Sequence, residues 1–475
     1  MLFTDPFFIF CFFPAVFLFQ FLVPKNQNRF RNFLLFAFSL IFYFYGEKSL
    51  VLFLLLSILV NYVLGRTLHH IQEQGQHGRI TARALLVLAI VFNLGLLAYF
   101  KYANFFVIEI LSVDTAHWKN IVLPIGISFY TFQCLSYIID IYRKDITPST
   151  SFVDFGTYIS CFPQLIAGPI VRYSEIAPAL RERRITFDDV YEGCCRFIVG
   201  FGKKMLIANP AGWVADQVYA MPTACIDMPH AWLGIICYTL QIYYDFSGYS
   251  DMAIGLGRLL GFRFPENFNY PYIAASIRDF WHRWHMTLTR WFRDYLYIPL
   301  GGSRAPAPRV ALNKWVVFLL CGFWHGASWN FLAWGAWHGF FLVTEGALAK
   351  RCRIRPPLAL RHAYTLLVVA LGWVIFRAAS LEQAVNIGRA AFGLAAPEEW
   401  AYTIWRLLRP DTILIILLGA VGSYPIWPLV RGLLARRLPE WLLNAGTHAG
   451  LICIFVAALA ASVSTAFNPF LYFRF

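Results

Sequence analysis

The residues able to do chemistry gather in the second half of the chain. The densest run, at 276–294, reads Ser-Ile-Arg-Asp-Phe-Trp-His-Arg-Trp-His-Met-Thr-Leu-Thr-Arg-Trp-Phe-Arg-Asp. Within it His282 and His285 are three residues apart, which places both on one face of a helix. A second centre is Gly322-Phe-Trp-His-Gly-Ala327, where His325 lies in an apolar run directly before Gly326, and His338 follows in Trp334-Gly-Ala-Trp-His-Gly339. An apolar setting favours neutral imidazole, the form a general base requires, and this singles out His325. Gly326 beside it would let backbone or ligand approach closely. The competing reading for any one of these histidines is a satisfied packing residue or an interfacial anchor. No carboxylate or cysteine stands at HExxH-type spacing to His282 and His285, so no metal is expected there.

Arg278, Arg283, Arg290 and Arg293 form a basic stripe among Trp281, Trp284 and Trp291, and Arg304 follows. Two readings stay open: head-group anchoring, or binding of a phosphate-bearing donor such as coenzyme A. Asp245 and Asp251 stand in the apolar stretch Tyr243–Gly255. An unpartnered buried carboxylate is costly, so both are expected to accept from hydroxyls or pair with arginines, in a structural role.

These groups need a scaffold, and composition decides its kind. Of 475 residues, 59% are apolar, 18% aromatic and only 14% charged, against about 25% charged in soluble domains. That excludes a soluble enzyme, a disordered chain and a disulfide-stapled secreted scaffold; a polytopic membrane protein remains. The balance of 40 Lys and Arg against 26 Asp and Glu suits cytoplasmic loops and anionic lipid head groups, and nucleic acid is not an expected partner. The ten cysteines, mostly inside apolar stretches and without zinc-ribbon spacing, read as small apolar fillers. Asp5 and Pro6 precede the first apolar run, with no basic segment or small-residue cleavage site, which argues against a removed signal peptide.

Apolar runs at 7–23, 33–45, 50–64, 84–100, 121–142, 232–246, 315–323, 331–348, 364–376, 412–424 and 449–467 give an all-α protein with about ten transmembrane helices. The odd-numbered loops are the basic ones: Lys25, Arg29 and Arg31 in the first, Arg66 to Arg83 as the third, Arg143-Lys144 opening the fifth. The fourth mixes Lys101 and Lys119 with Glu109 and Asp114. This pattern puts the odd loops in the cytoplasm and the N-terminus outside. Between 151 and 196, and again from 261 to 314, proline, glycine and charge break the runs. These stretches predict re-entrant and interfacial segments around a central funnel. No internal repeat is evident, which weighs against a transporter built of inverted halves.

Several motifs then share one order. They include Phe100-Lys-Tyr-Ala-Asn104, Leu123-Pro-Ile-Gly-Ile-Ser-Phe-Tyr130, Phe162-Pro-Gln-Leu-Ile-Ala-Gly-Pro169 and Asp245-Phe-Ser-Gly-Tyr-Ser-Asp251. Glu266-Asn-Phe-Asn-Tyr-Pro-Tyr272, Arg283-Trp-His285, Trp291-Phe-Arg-Asp-Tyr-Leu-Tyr297, Leu300-Gly-Gly-Ser-Arg304 and Gly372-Trp-Val-Ile-Phe-Arg377 follow, with the tail Asn468–Phe475. Over nearly its whole length the chain resembles the membrane-bound O-acyltransferase family, in the bacterial branch that O-acetylates alginate and related exported polysaccharides. The resemblance implies His325 as the catalytic histidine and His285 as the second signature histidine, with His282 a departure from the pattern. It implies a helix ring around a funnel that brings a cytosolic acetyl-CoA donor near an extracytoplasmic acceptor. It also implies a periplasmic acetyltransferase partner, polysaccharide-export machinery and surrounding membrane lipids. Arg283, Arg290, Arg293 and Arg304 are the candidates for holding the donor's phosphates. The expected organisation is one integral-membrane domain, 1–475, in a bacterial inner membrane. Its N-terminal helices would fill 1–145, its catalytic core 146–345 and its C-terminal helices 346–475. Peptidoglycan, cellulose or another exopolysaccharide is the alternative acceptor; a transporter or polymer-export channel is the alternative of another class.

Overall fold

A computed structural model describes residues 1–24, 26–74, 78–113, 121–351, 356–395, 403–465 and 467–469. Lys25, Asp114, Lys119, Cys352 and the last six residues of the tail lie outside the described residues. Every regular element among the described residues is helical. Each of the eleven apolar runs lies on a helix, with corrections at the ends; the helix for 449–467 stops at Ser464. The helix for 121–142 starts only at Ile127, because Pro124 and a left-handed Gly126 (φ 79°) precede it. The helix for 412–424 stops at Gly422 and bends by 74° into Ile426–Leu434. Pro425 in the break has no N–H with which to continue the ladder.

Among the described residues four helical stretches are long and apolar enough to cross a membrane: Asn28–Glu73, Arg79–Tyr102, Leu358–Arg377 and Glu440–Ser464. The first is two helices. Lys48 takes φ 50° between Asn28–Glu47 and Val51–Glu73. Phe152 then packs on both Phe36 and Tyr62, with ring centroids 6.2 and 5.5 Å away. Residues before and after the break reach one side chain only if the chain folds back as a hairpin.

The chain forms two compact units. The first comprises 1–197 and 252–266. Its centre is the helix Ile127–Arg143, buried at nearly every position, as befits a helix covered on all sides. Asn61 and Asn93 exchange amide hydrogen bonds of 3.0 and 2.8 Å between the neighbouring helices. Buried Arg183 donates to Asn32 at 3.0 Å and stacks over the Phe262 ring.

The second unit comprises 198–251 and 267–475. Its clearest feature is a helical hairpin, Ala307–His325 and Trp329–Arg351, joined by three residues. The helices meet backbone to backbone: a Cβ on Gly322 would lie 2.2 Å from the Phe331 carbonyl oxygen, and one on Gly335 2.4 Å from that of Phe318. Glycine is required at both points by space alone. This close seam sets His325 at the tip of the hairpin. Leu358–Arg377 packs along the second helix, and Asn330 donates to the Ala378 carbonyl at 2.7 Å. The chain returns at its end, where Lys204 donates to the Pro469 carbonyl and Asn209 to Asn468.

Of the nine cysteines described, Cys134, Cys161, Cys225, Cys237 and Cys321 are buried and all nine are free thiols. Cys11, Cys194 and Cys453 are instead exposed.

Candidate active site

The second unit holds both signature histidines. The approach to His285 is built by capping. Ser276 accepts from the Asp279 N–H at 3.0 Å, and the Glu345 carboxylate accepts from the N–H groups of Ile277 and Arg278 at 2.8 and 3.4 Å. Together they satisfy donors that a helix start leaves open. The helix Ile277–Arg283 then ends, Trp284 is extended, and His285 takes the left-handed conformation, φ 43° and ψ 54°. For a non-glycine residue this costs roughly 1–2 kcal/mol, so its surroundings must hold it there. The break separates the two histidines expected on one face: His282 stays exposed while His285 turns into the core. The physical reason is that the shared face requires a helix, and the helix stops between them.

Asn267 supplies the restraint. Its Oδ1 accepts from His285 Nδ1 at 3.1 Å, from the Thr287 N–H at 3.3 Å and from the Thr287 hydroxyl at 2.9 Å. Its backbone carbonyl takes the Met286 N–H at 2.9 Å, and its Nδ2 donates to Ser250 at 3.1 Å. Ser250 and Phe246 are one turn apart on the long helix Met228–Leu259. Phe246 packs edge-to-face on the imidazole at 4.6 Å. Nothing in composition singled out Asn267. The signal was its place in the Glu266–Tyr272 motif, which spacing alone does not connect to a histidine 18 residues on.

His325 is 7% exposed. Its ring stands edge-on to Trp324, Trp334 and Phe376, with centroids 4.9, 5.2 and 5.3 Å away. Gly326 earns its place through crowding, since a Cβ there would lie 2.1 Å from the Phe331 ring. Trp324 touches both signature histidines, its ring 6.3 Å from that of His285. Trp334 likewise touches His325 and His338, the latter at 5.0 Å. His338 is fully buried, and neither ring nitrogen has a hydrogen-bond partner among the described residues. The site is thus a pair of imidazoles in an aromatic wall. Such an environment suits activation of a hydroxyl away from bulk water.

The basic stripe divides. Arg283 pairs with Asp279 at 2.9 Å and donates to the Asn269 carbonyl. Arg293 pairs with Asp294 at 2.6 Å from an exposed position. Arg290 is half-buried and Arg304 is exposed, in a short turn after the left-handed glycines Gly301 and Gly302. Asp245 and Asp251 pair with lysines, which the expectation of hydroxyls or arginines did not include: Lys204–Asp245 at 2.5 Å, almost wholly buried, and Lys203–Asp251 at 2.6 Å. Both lysines start a wide helical turn, Lys203–Ala208. Among the described residues no three His, Cys, Asp or Glu side chains gather in a group able to hold a metal ion.

Apolar helices that bury two imidazoles among indoles describe an enzyme set in a membrane. The sequence profile of MBOAT, the membrane-bound O-acyltransferase family, matches residues 35–382, a range that contains Asn267, His285, His325 and His338. The chain belongs to the membrane-bound O-acyltransferase family and is an acyltransferase. Among its relatives, the probable alginate O-acetylase AlgI of Azotobacter vinelandii is 38% identical, covering all of both chains. That of Pseudomonas aeruginosa is 43% identical over 82% of this chain and 75% of its own. The peptidoglycan O-acetyltransferase of Helicobacter pylori is 36% identical over 83% of this chain and 80% of its own.

Proposed function

We propose that the protein takes acetyl from cytosolic acetyl-CoA and passes it across the membrane for O-acetylation of an exported polysaccharide, alginate first. The observation that carries this reading is end-to-end similarity to alginate O-acetylases at 38% identity, together with buried histidines at both signature motifs. In the reaction the acceptor oxygen attacks the thioester carbonyl and the C–S bond breaks. The hydroxyl proton ends on the coenzyme A thiol. His325 acts as general base on the hydroxyl, or otherwise activates transfer from the thioester, and His285 orients or assists. Arg283, Arg290, Arg293 and Arg304 are the groups offered to the donor's phosphates. About ten spans, with the short helices of 146–345 re-entering around a funnel, would let donor and acceptor meet across a thin floor. The whole chain, 1–475, works as one acyltransferase domain in a bacterial inner membrane. A periplasmic acetyltransferase and the polysaccharide-export machinery are its proposed partners, and the immediate acceptor is then the partner's hydroxyl or the sugar's.

A second reading, transfer to peptidoglycan, is favoured by the Helicobacter pylori relative. The two separate in proteoliposomes given radiolabelled acetyl-CoA outside and either mannuronate oligomers or peptidoglycan fragments inside, with and without the periplasmic partner. Label on mannuronate supports the first reading. Label confined to peptidoglycan replaces it with the second.

A further inference from the structure

We infer that Asn267 is a positioning residue that locks His285 in the Nδ1–H tautomer, so that Nε2 meets the substrate as a hydrogen-bond acceptor. The Thr287 backbone N–H can only donate, and it lies 3.3 Å from Oδ1 of Asn267, so that atom is the amide oxygen. The opposite end of the amide donates to Ser250, in agreement. An amide oxygen only accepts, so His285 Nδ1, 3.1 Å away, must carry the proton. A neutral imidazole has one N–H, which leaves the Nε2 lone pair open. Nε2 is buried and has no hydrogen-bond partner among the described residues, although such atoms are as a rule satisfied. Of the rings packed on His285, those of Phe246 and Phe268 carry no polar atom, and the indole N–H of Trp324 makes no hydrogen bond to Nε2.

This inference rests on the acyl-transfer reading and narrows it. Two substrate oxygens enter the reaction. The thioester carbonyl oxygen accepts hydrogen bonds and would need a donor; the acceptor hydroxyl donates. A lone pair at Nε2 can hold only the hydroxyl. His285 therefore orients the acceptor, and the strained φ of 43° is the conformation in which Asn267 grips the ring and the next two residues together.

The test has two arms. In wild-type protein carrying ring-15N histidine, with the His285 signals assigned by their loss in His285→Gln, the spectrum should show protonated Nδ1 and unprotonated Nε2. This arm needs no turnover, so it stands even if the protein proves to act on another acyl donor. In the second arm, Asn267→Leu should lower kcat for acetyl transfer at least about tenfold, with the KM for acetyl-CoA nearly unchanged. Asn267→Asp accepts the same Nδ1–H and should restore much of the rate. Its carboxylate also stabilises imidazolium, so the acid limb of its pH profile should move to higher pH. A purely structural asparagine would not move that limb. Protonated Nε2 in the wild type, or an Asn267→Asp profile whose acid limb stays in place, overturns the proposal.

Discussion

His325 stands edge-on to Phe376, with ring centroids 5.3 Å apart, and this contact ties the tip of one helical hairpin to the end of the next helix. The following residue, Arg377, is anchored in turn. It pairs with Asp216 and lies over the rings of Tyr219 and Tyr238. A chain of ring and charge contacts thus runs from an ion pair to the imidazole expected to be catalytic.

Breaking that pair on one side should be worse than removing it. Arg377→Leu removes the cation that pairs with Asp216, and because the two side chains are 19% and 18% exposed the loss should fall below the about 3–5 kcal/mol of a fully buried pair. Arg377→Leu with Asp216→Leu should recover much of the loss. Thermal unfolding in detergent checks both; equal destabilisation by the single and double variants would show that the pair is not the anchor.

The glycine seam predicts a steric failure. Gly322→Ala places a methyl 2.2 Å from the Phe331 carbonyl oxygen, and backbone cannot move aside as a side chain can. The cost should be about 1–3 kcal/mol or more, seen as reduced accumulation of folded protein. Gly450→Ala is the control, with open space around its Cβ, and should be neutral or slightly stabilising.

Donor binding should divide the arginines as the structure does. Arg283 is held by Asp279 and the Asn269 carbonyl while Arg304 is exposed, so Arg304→Ala should weaken acetyl-CoA binding more than Arg283→Ala. A loss of about tenfold corresponds to one charge-assisted contact of roughly 1.4 kcal/mol. Binding to purified, folded variants measures it. Unchanged affinity for both Arg290→Ala and Arg304→Ala would remove this stripe from the donor site.

Orientation has its own check. The basic third loop predicts that its residues face the cytoplasm. Gln74→Cys on a cysteine-free background should resist a membrane-impermeant thiol reagent in spheroplasts and react after permeabilisation. Labelling in intact spheroplasts would put the donor's side of entry on the opposite face.

The helices were legible in the sequence because long apolar runs have few other ways to satisfy their backbone in lipid. The broken middle was legible too, through its prolines, glycines and charges. What escaped was whatever depended on a local break or on a distant partner. His282 and His285 have helical spacing, but the chain leaves the helix at Trp284, and capping by Glu345 comes from 60 or more residues away. Asp245 and Asp251 pair with Lys204 and Lys203 from another helix, partners that the expectation of hydroxyls or arginines did not name. Asn267 carried no signature of its own, because an asparagine's role is set by the atoms facing its amide. The hairpin at Lys48 was legible, since the runs 33–45 and 50–64 already read as two spans and the structure places Asn28–Glu47 and Val51–Glu73 there.

His325 is the residue proposed to activate transfer of acetyl to a hydroxyl. The most direct measurement is the rate of label transfer from radiolabelled acetyl-CoA by purified, reconstituted His325→Ala beside wild type, with folding of the variant checked by thermal unfolding. The rate should fall by about 10²–10⁴-fold, the usual worth of a general base, in a protein that is still folded. A folded His325→Ala whose rate stays within a few-fold of wild type would contradict that role.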